Sequence, residues 1–88
     1  MSSGAYEISI LPAARKQLDR LPGSDRSRLD EAIASLAENP RPPGCVKLHG
    51  EEAWRIRVGV YRVIYEIHDD VLLITIIRVA HRKDSYRP

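Results

Sequence analysis

Trp54-Arg55-Ile56-Arg57-Val58-Gly59-Val60-Tyr61-Arg62 is the stretch whose reading decides the fold. Trp54, Ile56 and Val58 alternate with Arg55 and Arg57, the period of a strand with one apolar face. Gly59-Val60 supplies a tight two-residue turn, and Tyr61 to Ile67 runs back as a second strand. In that register Val58 pairs with Tyr61, and Arg57 faces Arg62. Arg55 lies two residues along on the same side, so three guanidiniums converge on one sheet surface. Like charges directly opposed destabilise a sheet, and a bound polyanion relieves them. A turn one residue longer would separate Arg57 from Arg62, so the convergence depends on register. The ordinary alternative is a solvated face whose arginines pair with Glu51, Glu52, Glu66 or Asp84.

Downstream of the hairpin, His68-Asp69-Asp70 marks a turn. Val71 to Val79 is nearly all apolar, which suits a central or otherwise covered strand. Upstream, Tyr6, Ile8 and Ile10 alternate with Glu7 and Ser9 as a short strand. It is a candidate to pair parallel with the strand at Val71–Val79. Pro12 then opens a helix over Ala13–Leu21, with Leu11, Ala14, Leu18 and Leu21 as its apolar stripe. Pro22-Gly23 interrupts it. Ser24 or Asp25 caps a second helix to about Glu38, with Leu29, Ile33 and Leu36 at helical spacing. Asn39-Pro40 stops that helix, and Arg41 to Gly44 is a short connector. Helices this short need a partner surface. The expected fold is therefore α+β, one domain over residues 1–88. Two N-terminal helices pack on a four-stranded, mostly antiparallel sheet.

Apolar residues make up 43% of the 88 residues, enough for one modest core. The formal charge is only +2, from fourteen Lys and Arg against twelve Asp and Glu. Distribution matters more than the total: no acid falls between Ala53 and Tyr65, where three arginines lie. Cys45 is the one cysteine, which excludes an intrachain disulfide and a thiolate metal cluster and suits a reducing compartment. It reads as a half-buried loop residue. No signal-peptide pattern opens the chain, and no apolar run approaches the ~20 residues of a membrane helix. A cytoplasmic protein without membrane contact is expected.

A second basic cluster, Arg78, His81, Arg82, Lys83 and Tyr86, follows near the C-terminus. Arginine presents a planar, permanently charged fork to phosphate, and for that reason it is a poor proton carrier. His81 and Tyr86 are the local candidates for moving protons or stacking on a base. Their bland readings are a solvated histidine and a tyrosine packed at the sheet edge. Strict alternation puts Arg78 opposite the arginine trio, where a salt bridge is its simplest role. Lys47, in Lys47-Leu48-His49-Gly50, can reach a backbone phosphate or serve only solubility. Trp54, Tyr61 and Tyr65 read first as packing residues. His49, His68 and His81 lack compact metal-ligand spacing. No phosphate-cradling glycine loop, dinucleotide fingerprint or serine triad signature occurs, so neither metal nor cofactor is expected.

In this order and spacing, the hairpin run through Val63-Ile64-Tyr65 and the ending Val79-Ala80-His81-Arg82-Lys83-Asp84-Ser85-Tyr86 resemble the RelE/ParE superfamily of bacterial toxin–antitoxin systems. The RelE-like branch is the nearer, and the likeness covers nearly the whole chain. It implies a ribosome-dependent messenger-RNA endonuclease that works by attack of the ribose 2′-hydroxyl, without a protein metal. It also implies a cognate antitoxin, the ribosome and message as partners, and operator DNA contacted only through the antitoxin complex. The resemblance places phosphate stabilisation on Arg57, Arg62 and Arg82, and stacking or proton transfer on Tyr86, with His81 assisting. Arg55, Lys47, Arg78 and Lys83 are expected to bind RNA or ribosome. Two strand positions that are often lysine in the family are Arg55 and Arg57 here, which moves proton transfer toward Tyr86 or His81. The alternatives are a ParE-like inhibitor of DNA gyrase and a non-catalytic regulatory module.

Overall fold

The computed structural model describes residues 5–82. Its elements are β1 (Glu7–Ile10), α1 (Pro12–Asp19), α2 (Gly23–Ser35), β2 (Val46–Lys47), β3 (Trp54–Val58), β4 (Tyr61–His68) and β5 (Leu73–His81). The sheet has five strands in the order β1-β5-β4-β3-β2, one more than the four expected. The extra strand is the two-residue β2, which pairs antiparallel to β3 through Val46–Arg55 and Lys47–Trp54. Two residues are too few to show a period, so this strand carries no pattern of its own. β1 pairs parallel to β5, and the remaining pairs are antiparallel.

Pro12 occupies the first turn of α1, where its missing N–H loses nothing. α2 begins earlier than expected, with Pro22 rather than Ser24 or Asp25 at its N-cap. The Pro22 carbonyl accepts from Arg26 N–H at 2.8 Å. The Asp25 carboxylate is instead engaged by the Tyr61 hydroxyl, which donates to it at 2.9 Å. Leu36, Ala37 and Glu38 continue α2 as tightened turns, each N–H donating three residues back.

One face of the sheet and the two helices enclose a single core. Ala14 and Leu18 of α1 and Leu29 and Ile33 of α2 pack with Leu36, Ile56, Val63, Tyr65, Ile74, Ile76 and Val79. Fully burying a Leu side chain such as Leu18 or Leu29 contributes about 1.5–3 kcal/mol. The Tyr65 hydroxyl donates to the Pro40 carbonyl at 2.7 Å, so the buried ring carries no unmet donor. Burial is the main reason its phenol pKa is pushed far above the usual value. Arg41 lies 5.1 Å from the centre of the Trp54 ring and pairs with Asp69 at 2.9 Å. The Tyr6 hydroxyl also donates to Asp69. These contacts pin the proline-rich connector to the strand ends.

The apolar run at Val71–Val79 enters the sheet later than its pattern suggests. Asp69–Val71 forms a 3₁₀ turn, and Leu72 takes φ +53° to redirect the chain into β5. β5 then contains the irregularity that positions the site. Tyr65 pairs with Ile76 and Ile64 with Arg78, so Ile77 is an extra residue with no partner on β4. Such a bulge switches the faces of everything beyond it. Ile74 and Ile76 face the core before the bulge, and Val79 faces it after. Arg78 is thereby turned to the open face.

Candidate nucleic-acid interface

The hairpin forms in the register read from the sequence. Val58 pairs with Tyr61, Arg57 with Arg62, Ile56 with Val63 and Arg55 with Ile64. Gly59 takes φ +62° while Val60 keeps an ordinary negative φ, the pattern of a type II′ turn. Counting outward from this turn, Val58–Tyr61 is the hydrogen-bonded pair. Arg57–Arg62 is then a non-hydrogen-bonded pair, whose side chains stand closest.

Partners across a ladder share a face, so Arg55, Arg57 and Arg62 lie together on the side away from the helices. The bulge adds Arg78 to them, because it pairs with Ile64. The expectation that Arg78 lies opposite the trio is corrected here. It assumed unbroken alternation, which would have driven a guanidinium into the apolar layer beneath Ile74 and Ile76. Arg82 joins from just beyond β5, its N–H donating to the Val60 carbonyl at 2.6 Å. Arg57, Arg62 and Arg82 line a shallow depression of ≈ 90 Å³ with Gly59, Val60 and Tyr61.

Two of the four acids named as competitors for these arginines are engaged elsewhere, while Glu51 is exposed ahead of β3 and Asp84 lies outside the described residues. Glu52 contacts Lys47 at 3.7 Å, and Glu66 contacts His68 at 3.2 Å. Among the described residues, Arg55, Arg57, Arg62 and Arg78 have no carboxylate within ion-pair distance. Arg55 records the resulting field. Its pKa is lowered, first by burial and then by the charges of Arg57 and Arg62. Its Nε is enclosed without a hydrogen-bond partner among the described residues.

Other candidate residues fall elsewhere. His81 pairs with Tyr61, on the helix-facing side of the sheet. Its ring meets the Tyr61 ring edge-on, with centroids 5.5 Å apart at 85°. It lines a different cavity, with Gln17, Arg20 and Leu21. Lys47 pairs with Trp54 and so lies on the other face from Arg55. Lys83 and Tyr86 lie outside the described residues. Cys45 is a half-buried free thiol, as expected of a loop cysteine. Among the described residues, no group of three His, Cys, Asp or Glu side chains converges as a metal site. No helix among them is long and apolar enough to cross a membrane.

Arg28 was not singled out from the sequence. Its guanidinium reaches from α2 over the hairpin tip, 3.0 Å from where a Cβ on Gly59 would stand. It borders a ≈ 380 Å³ groove with Asp25, Val58 and Tyr61. In sequence it is one more charge on the solvent side of a helix, and only the tertiary approach of α2 to the turn distinguishes it.

The arrangement is a cationic sheet face with its strongest convergence at the hairpin tip. It suits several phosphates in a row better than one enclosed small anion. Residues 8–86 match the family model described as the ParE toxin of the type II toxin–antitoxin system parDE. The chain is 34% identical over 85 residues to toxin RelG of Mycobacterium tuberculosis, covering 93% of this chain and 97% of that one. Its fold is similar to a chain of the archaeal RelE–RelB complex of Pyrococcus horikoshii. There the TM-score is 0.81 at 30% identity, over 89% of this chain and 96% of the other. The intact Escherichia coli RelBE toxin–antitoxin complex contains a chain similar at TM-score 0.77 and 25% identity, over 88% and 96% of the two chains.

Proposed function

The chain belongs to the RelE/ParE toxin superfamily of type II toxin–antitoxin systems, and from that premise we propose that it is a cytoplasmic endonuclease that cuts messenger RNA on the ribosome. The observation that carries the reading is the depression shared by Arg57, Arg62 and Arg82. Three guanidiniums at one point can hold a phosphate and can stabilise the extra charge of its pentacoordinate transition state.

The reaction is an internal transesterification. The ribose 2′-oxygen attacks the adjacent phosphorus, and the bond to the next nucleotide's 5′-oxygen breaks. The products carry a 2′,3′-cyclic phosphate and a 5′-hydroxyl. One proton must leave the 2′-hydroxyl and one must reach the departing 5′-oxygen. Arginine keeps its protons, so Arg62 and Arg82 act on charge, with Arg57 assisting. Tyr86 is assigned stacking or proton transfer; the assisting role expected of His81 is set aside, because His81 faces the helices beside Tyr61 and away from this depression. Arg55, Arg78, Lys47 and Lys83 are assigned to the RNA or ribosome surface. Orientation of the message by the ribosome supplies part of the barrier reduction, so free RNA is a poor substrate.

Solved relatives that are complexes of RelE with RelB support a cognate antitoxin for this chain. An acidic segment is the natural complement to the arginine face, and any operator DNA is contacted through that complex. Purified chain added to ribosomes programmed with a defined message tests the reading. Cleavage in the ribosomal A site, with the same message intact when free, is the expected result. Growth arrest with intact message in a translating extract overturns it. The match to a ParE toxin model keeps the second reading, a ParE-like inhibitor of DNA gyrase, in play. A supercoiling assay run in parallel separates the two.

A further inference from the structure

The bulge at Ile77 brings Arg78 and Arg55 to either side of Ile64, each paired to it from the neighbouring strand. This row lies two residues along the sheet from the row formed by Arg57, Arg62 and Ala80. The step between rows is roughly 6.5–7 Å, comparable with the distance between successive phosphates of an extended single strand. We propose that Arg55 and Arg78 form a second phosphate subsite, one nucleotide from the scissile phosphate, with the half-buried Ile64 side chain beneath the intervening sugar.

Two observations support it. Neither guanidinium has an acidic partner among the described residues. The face is also polarised along the strands. Arginines occupy the hairpin end, and Glu66 and His68 pair with each other toward the opposite end of β4. A polyanion is therefore held over the two arginine rows and discouraged from continuing toward Glu66. Arg78 then has a role in choosing the path of the strand, distinct from the charge stabilisation assigned to Arg62 and Arg82.

The inference rests on the RNA reading of the same face, and its test separates the two. The full chain is titrated with an uncleavable 2′-O-methyl tetranucleotide, and the arginine Nε–H resonances are followed by NMR. Signals of Arg57, Arg62, Arg55 and Arg78 are all expected to move. Replacing one flanking phosphate with a neutral methylphosphonate, at one position only, should silence Arg55 and Arg78 while Arg57 and Arg62 still respond. Arg78→Gln should lower the salt slope of binding by roughly 0.7, the value of one single-strand phosphate. Arg78→Lys should restore most of that slope. Movement of Arg57 and Arg62 with Arg55 and Arg78 unmoved overturns the subsite and leaves the RNA reading standing. No movement of any of the four at saturating oligonucleotide overturns both.

Discussion

Replacing Arg62 with Gln should make the domain more stable while making it a poorer enzyme. Arg62 stands directly across from Arg57 in a non-hydrogen-bonded pair, and its charge also bears on Arg55. Like charges so placed cost roughly 0.2–1 kcal/mol. For a domain of this size that corresponds to a Tm gain of about 1–8 °C on neutralisation. The gain is electrostatic, so it should shrink at 1 M salt, where the Debye length falls to about 3 Å. Comparing Arg62→Gln with the wild type at low and high salt cancels packing lost with the side chain. Thermal unfolding by circular dichroism is a sufficient assay. Catalysis should move the other way, with a loss of about 10²–10³ in turnover on programmed ribosomes. A variant whose Tm shift is identical at both salt concentrations would refute the claim that these arginines repel one another in the free protein.

Three further outcomes follow from the same contacts. Gly59→Ala places a Cβ at φ +62° and 3.0 Å from the Arg28 guanidinium. It should destabilise the domain by about 1–3 kcal/mol, read as a lowered urea midpoint. The Asp69 carboxyl is held below its usual range, first by its hydrogen bond from Arg41 and then by that from Tyr6. Its contribution is present above the ordinary carboxyl pKa of 3.8 and fades as pH falls through the lower folded value. A Tm-against-pH profile should therefore lose part of its acid limb in Asp69→Asn. At alkaline pH the sign reverses for Tyr65, whose phenol is raised by burial. Its contribution is intact below the ordinary value of 10.0 and declines above it as the unfolded chain ionises. Tyr65→Phe should flatten that decline and lose about 0.5–1.5 kcal/mol at neutral pH, from the bond to the Pro40 carbonyl.

The parts of the fold legible in the sequence were those with a clear period or an obligatory turn. The alternation from Trp54 to Val58 and the Gly59-Val60 turn gave the hairpin and its register, because one face had to be buried and Gly59 could take a positive φ. The apolar stripes placed both helices to within a few residues. β2 was not legible because its two residues follow no period and are held by pairing alone. The bulge was not legible either. Ile74, Ile76 and Arg78 look like one face in a regular strand, and nothing local in Ile76-Ile77-Arg78 signals an extra residue. The cost of burying a guanidinium is the physical hint, since an unpaired arginine among core isoleucines is far less favourable than a bulge. Applied to β5, that reasoning would have moved Arg78 to the arginine face. The convergence of Arg82 with Arg62 needed tertiary structure, because it depends on where β5 ends relative to the turn at Val60.

The central claim is that Arg57, Arg62 and Arg82 grip and cleave the backbone of a ribosome-bound message. Its most direct test is 5′-end mapping of ribosome-associated RNA after brief induction of the chain, with Arg62→Ala as the control. New 5′-hydroxyl ends at A-site codons, abolished or sharply reduced in the variant, are the predicted result. An unchanged map, or ends of equal abundance with Arg62→Ala, would contradict it.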